Sequence, residues 1–173
     1  AVRYYDKTQK VFPKLFQILR LGLNQVATNF PPLTARWIYE NYLGLDVDQL
    51  QYKVYDPCSG WGGRMLGALC SRKRIHYIGT DVVAANFESY DALGKFYKKY
   101  SDTKNTYEMY SIPSEEIHKN ENFMKHANDI DLVFTSPPYF DKELYSLDKN
   151  QSSIRYRTYD VWKEKFLIPT LQT

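Results

Sequence analysis

The run Tyr52-Lys53-Val54-Tyr55-Asp56, followed by Pro57-Cys58-Ser59-Gly60-Trp61-Gly62-Gly63-Arg64, constrains the fold of this chain more than any other stretch. Its first part reads as a short strand, and its last part, continuing through Met65-Leu66-Gly67-Ala68-Leu69, as the start of a helix. Glycine opens backbone angles closed to other residues and lets a ligand come close to the main chain. A glycine loop between a strand and a helix amino terminus turns helix N–H groups toward a ligand, as in nucleotide-cofactor sites. The spacing is neither the GxGxxG of dinucleotide enzymes nor the GxxxxGK[ST] of phosphate loops. No lysine follows the glycines, which argues against an ATP site.

The order of the following segments extends the pattern. A strand is expected over 75–80, closing on Asp81, then a helix over 84–100, a strand over 106–110, a helix over 114–126 and a strand from 130. Strands alternating with helices predict an α/β fold with a mostly parallel sheet. An acid at the end of the second strand can accept both hydroxyl hydrogens of a ribose. Alone, Asp81 reads as the N-cap of the helix that follows; behind a glycine loop, the ribose role is the better assignment.

The last strand, Asp131-Leu132-Val133-Phe134-Thr135, reads as a buried apolar run and ends in Ser136-Pro137-Pro138-Tyr139. Two prolines stop a ladder and fix the backbone. They leave the carbonyls of Ser136 and Pro137 as outward acceptors. A serine oxygen, fixed carbonyls and a tyrosine ring suit a planar base bearing an amino group, and ligands in open α/β sheets bind beyond the carboxyl ends of the strands. The plainer alternative is a Pro-Pro turn with a packed tyrosine.

Taken together, Asp56-Pro57-Cys58-Ser59-Gly60-Trp61-Gly62 and Thr135-Ser136-Pro137-Pro138-Tyr139 resemble the S-adenosylmethionine-dependent methyltransferases that modify exocyclic amino groups of nucleobases. Cys58-Ser59-Gly60-Trp61-Gly62 is similar to that family's F-x-G-x-G cofactor motif, with Cys58 in place of phenylalanine. Ser136-Pro137-Pro138-Tyr139 is similar to its [DNS]-P-P-[YFW] catalytic motif, in the serine form commoner among DNA enzymes. Phe30-Pro31-Pro32, leading into Ala35-Arg36-Trp37-Ile38-Tyr39, resembles the segment lying over the cofactor's methionine end. Cofactor motif first and catalytic motif second, with no room between them for a recognition domain, resembles the gamma arrangement of DNA amino-methyltransferases.

The resemblance implies a Rossmann-like class I methyltransferase fold, a three-layer sandwich whose family form has seven strands. Four are read here, so the last strands are expected to lie outside this sequence. It implies an amino-terminal helical segment over 1–29 and a partial catalytic domain over 30–173. It implies S-adenosylmethionine as cofactor and DNA as substrate. Asp56 and the loop of Gly60, Trp61 and Gly62 would meet the methionine end, beneath Phe30 and Pro31. Asp81 would bind the ribose, with the adenine between Val82 and Ile112-Pro113-Ser114. A flipped base would stack on Tyr139 and donate its amino hydrogens to the Ser136 side chain and the Pro137 carbonyl. An RNA or protein-amide methyltransferase, or an inactive remnant of the fold, is the alternative. The target base and recognition sequence stay open.

Composition adds bounds. A net charge of +3 permits nucleic-acid binding without arguing for it. Two cysteines, Cys58 and Cys70, and three scattered histidines give no metal-site spacing. Cys58, preceded by proline, resembles the nucleophile of carbon-5 cytosine methylation but sits in the glycine loop rather than at the catalytic strand end. No apolar stretch is long enough to span a membrane and no secretory segment is seen, so a reduced, cytoplasmic setting is expected. An amphipathic helix is expected within 11–27. Residues 141–157 read as a mobile polar loop, with Lys142, Arg155 and Arg157 placed to contact phosphates. A final helix is expected from Thr158 toward Pro169. The outer edge of the catalytic strand would need covering, by a second copy of the chain or by an irregular carboxyl segment.

Overall fold

A computed structural model of the chain describes residues 28–44, 50–102, 104–142 and 148–172. The helix expected within 11–27 lies outside the described residues. Helix α1 spans Pro32–Tyr42, entered through a proline whose missing N–H costs nothing in a first turn. Strand β1 (Tyr52–Asp56), helix α2 (Gly63–Leu69), strand β2 (Ile75–Asp81), helix α3 (Ala84–Tyr100) and strand β3 (Thr106–Ser111) follow in alternation. Strand β4 is Leu132–Val133.

The four strands of the described residues are parallel, in the order β3-β2-β1-β4. Tyr52 lies opposite Ile75, His76 opposite Thr106, and Val54 opposite Leu132. The chain moves outward from β1 to β3, then returns past β1 to place β4 on its other side. That reversal opens a crevice at the carboxyl ends of β1 and β4, where parallel sheets bind ligands.

Alternation along the strands divides the core into two faces. Tyr52, Val54, Ile75 and Tyr77 pack with Ala35, Tyr39, Met65, Leu69 and Tyr90 from the three helices of one layer. Tyr55 and Ile78 face the other way, against Ile117 and Phe123. The result is an α/β arrangement with helical segments on both faces of a parallel sheet.

Three expectations are corrected. The helix expected over 114–126 is a 3₁₀ turn, Ser114–Lys119, and a short helix α4, Glu121–Met124. The break falls at Asn120, whose side-chain oxygen accepts the N–H groups of Asn122 and Phe123 and so starts a new helix. The strand read as buried is a short edge: Val133 is 57% exposed, and pairing with β1 runs only from Asp131 N–H to Phe134 N–H. Among the described residues, the carboxyl segment packs elsewhere. It folds as α5 (Ser152–Arg155) and then α6 (Tyr159–Trp162), a wide π turn (Lys163–Leu167) and α7 (Ile168–Gln172), and it packs on the 3₁₀ turn after β3.

The final helix also runs past Pro169 rather than ending at it. Pro169 has no N–H, and its ring crowds the carbonyl four residues earlier. The π turn, in which Ile168 N–H donates to the Lys163 carbonyl, widens the backbone just before it. No helix of the described residues is long and apolar enough to cross a membrane.

Candidate functional site

The glycine loop is shaped from beneath by a buried ion pair. Asp56 closes β1 with no exposed surface, and Arg64 in the first turn of α2 is 4% exposed. Arg64 Nε donates to Asp56 Oδ2 at 2.7 Å and Nη2 to Oδ1 at 3.2 Å, a bidentate pair. Tyr77 Oη donates to Asp56 Oδ2 at 2.5 Å, and Cys58 N–H to Oδ1 at 3.2 Å. Arg64 also donates to the Cys58 carbonyl and lies over the Phe30 ring. Asp56 is thus engaged in the loop's own architecture and does not line the cavity.

Gly60 and Gly62 hold φ of +60° and +80°, angles that side-chain-bearing residues avoid. Asp81, at the end of β2, reaches across: its Oδ2 accepts Gly60 N–H at 2.8 Å and its Oδ1 accepts Val83 N–H at 2.8 Å. Asn86 and Tyr90 of α3 donate to the Gly60 carbonyl. Asn29 Oδ1 accepts Gly63 N–H at 3.1 Å, docking the segment before α1 onto the start of α2. That approach is close: a side chain at Gly63 would meet the Phe30 carbonyl at 2.0 Å.

These elements enclose a cavity of about 290 Å³ at the strand ends, at the lower end of ligand-pocket sizes. Phe30, Pro31, Cys58, Gly60, Trp61, Asp81, Val82, Ile112, Ser114, Ser136, Pro138 and Tyr139 all line it. Asp56, Gly62, Pro113 and Pro137 do not. Burial pushes the Asp81 carboxyl above its ordinary value, while the N–H groups of Val83 and Gly60 pull it back. Other residues of that wall fall outside the motifs: Asn86, five residues after Asp81, and Gln151, Ser152 and Phe166 from the carboxyl segment.

Cys58 is a poor nucleophile. Burial first, and the Asp56 carboxylate second, push its thiol up to about 12 from an ordinary 9.0. The residue is half-buried along the cavity wall, so water moderates the size of the shift, and its direction keeps the thiol protonated at neutral pH. A raised thiol value contributes stability that is full below the ordinary value and lost as pH rises through the folded one. Denaturant midpoints measured between pH 8 and 11 are therefore expected to fall less steeply for Cys58→Ser than for the unaltered chain.

Beyond β4, Ser136, Pro138 and Tyr139 reach the cavity, with Tyr139 60% exposed at its mouth. Among the described residues, no hydrogen bond engages the Ser136 hydroxyl. Phe140, at φ +54°, turns the chain so that its ring meets Tyr159 and Trp162.

The segment expected as a mobile loop is folded on both sides of 143–147, which lie outside the described residues. Ser152 accepts from Trp162 Nε1 at 3.0 Å, and the Ser114 and Thr170 hydroxyls meet at 3.0 Å. Arg155 donates to Glu115 at 2.8 Å and also to Glu116, so it is bound to carboxylates rather than offered to phosphates. Lys142 and Arg157 remain exposed.

Two of the three histidines come together in space: His76 and His126 meet at Glu108. Compared with family models, curated proteins and solved structures, the chain gives no match.

Proposed function

We propose that the chain binds S-adenosylmethionine in this cavity and transfers its methyl group to the exocyclic amino nitrogen of adenine or cytosine in DNA. One observation carries this reading. The glycine loop after β1, the acid ending β2 and the Ser-Pro-Pro-Tyr run after β4, separated by up to 80 residues, line a single cavity at the point where the sheet order reverses.

The residues present fit such a cofactor. Asp81 sits where a hydroxyl of a ribose can be received: its Oδ2 keeps a lone pair beyond the Gly60 N–H it accepts, while its Oδ1 takes both Val83 N–H and Asn86 Nδ2. Val82, Ile112 and Phe166 give apolar wall for a flat purine. A side chain built at Gly60 would meet nothing within 4 Å, which leaves the loop backbone open to a ligand. Phe30 and Pro31, held down through Asn29, close the amino-terminal side. Bound there, S-adenosylmethionine supplies an electrophilic methyl group on its sulfonium.

The chain's own residues then orient the acceptor. The free Ser136 hydroxyl oxygen accepts an amino hydrogen and turns the nitrogen lone pair out of conjugation with the ring. The nitrogen would gain the methyl as its bond to the sulfonium breaks, leaving a neutral thioether, and would lose one proton to solvent, with no covalent enzyme intermediate. Tyr139, exposed at the mouth, provides the face on which an extruded base stacks. Serine at this position, together with the order of motifs, favours DNA over RNA or a protein amide.

Base–aromatic stacking contributes roughly 1–3 kcal/mol. Tyr139→Ala is therefore expected to weaken binding of an oligonucleotide about 5- to 150-fold, measured by fluorescence anisotropy, with cofactor affinity nearly unchanged. Equal loss of both would refute the division of roles.

A further inference from the structure

Five residues back along β2 from Asp81, roughly 16 Å by strand rise, a second cluster of chemistry-bearing side chains lies on the opposite sheet face. His76 of β2, Glu108 of β3 and His126, which follows α4, bring their ligand atoms within 4.8 Å of one another. None of the three lines the cavity. We propose that they form a binding site for a divalent transition metal, zinc by ligand type, which ties β2, β3 and the α4 turn together.

The spacing fits a metal better than an ordinary ion pair. His126 Nε2 lies 3.0 Å from Glu108 Oε2, and His76 Nε2 lies 3.7 Å from the same oxygen. Nitrogen and oxygen ligands at zinc bond lengths and tetrahedral angles are about 3.3 Å apart, between those two values. The longer distance is past useful hydrogen bonding, yet a shift of a few tenths of an ångström would close it around an ion.

The outer contacts orient the first histidine. His76 Nδ1 lies 2.8 Å from Thr106 Oγ1, an oxygen that also receives Gln51 Nε2. With its proton on Nδ1, donated to Thr106, the imidazole presents the Nε2 lone pair toward Glu108, as metal-binding histidines do. Nδ1 of His126 is buried without a partner among the described residues, so its Nε2 is the nitrogen offered to the cluster. Lys53, the nearby cation, is paired with Asp129 at 3.1 Å. The Glu108 side chain is 42% exposed, which gives an ion a way in and leaves a fourth position for water.

The test is titration of Zn²⁺, and of Co²⁺ as an optical probe, into metal-free protein, beside His126→Ala, Glu108→Gln and His118→Ala. His118, exposed and the third histidine of the chain, is the control. The expected result is one equivalent of Zn²⁺, a tetrahedral Co²⁺ spectrum without thiolate charge transfer, and a higher melting temperature with metal. His126→Ala and Glu108→Gln each weaken binding at least about tenfold, while His118→Ala binds as the parent does. Glu108→Gln alters a half-exposed side chain and keeps the comparison valid should His126→Ala fail to fold. No binding by folded protein, thiolate ligation, or equal binding by all variants overturns the proposal.

Discussion

Asp56→Ala is expected to destabilise the chain by about 3–5 kcal/mol, because it leaves the Arg64 guanidinium buried without its counter-charge. The bidentate pair lies under the glycine loop, and Tyr77 and Cys58 also donate to the same carboxylate. A domain of this size has a total stability of roughly 5–15 kcal/mol, so a loss of this size should be plain in a urea unfolding curve. Removing both charges tells a different story. Asp56→Ala combined with Arg64→Met should recover much of the loss, since an apolar replacement of a buried pair is often neutral. If the double variant is as unstable as the sum of the singles, the pair is not the element that holds the loop.

Ser136→Ala is expected to slow methyl transfer to DNA by about 10²- to 10³-fold, the scale seen when one preorganised polar contact to the reacting group is removed. Affinity for S-adenosylmethionine should stay within a few-fold, because the glycine loop, Asp81 and the apolar walls are untouched. Single-turnover kinetics with a tritiated methyl group separates the two quantities. A variant that transfers at the parental rate removes Ser136 from the chemistry and leaves the Pro-Pro run as a turn.

Much of the fold was legible because it is written locally. The runs Tyr52-Lys53-Val54-Tyr55 and Ile75-His76-Tyr77-Ile78 are rich in aromatic and β-branched residues and so read as strands, and they pair in register. Glycines that need positive φ, at 60 and 62, announced the loop. The supports of the site were not legible in the same way. Arg64 finds Asp56 eight residues away across a strand–loop–helix turn, and nothing in either residue type says that the pair is buried. Asn29, Asn86 and Tyr90 act on the loop from other elements, so no local pattern marks them. The apolar run at 131–135 misled for the opposite reason: a central strand and an uncovered edge strand have the same local composition. Likewise His76 and His126 stand fifty residues apart in sequence and adjoin only through strand pairing and the turn after α4. Arg155 read as a free cation because its partners, Glu115 and Glu116, lie about forty residues earlier.

Binding of the cofactor is tested by calorimetric titration of S-adenosylmethionine into the unaltered chain and into Asp81→Ala, with thermal melts confirming that both are folded. The expected result is saturable one-to-one binding that the substitution weakens by about tenfold or more, roughly 1.4 kcal/mol. No binding by the folded parent, or binding that is indifferent to Asp81, would contradict it.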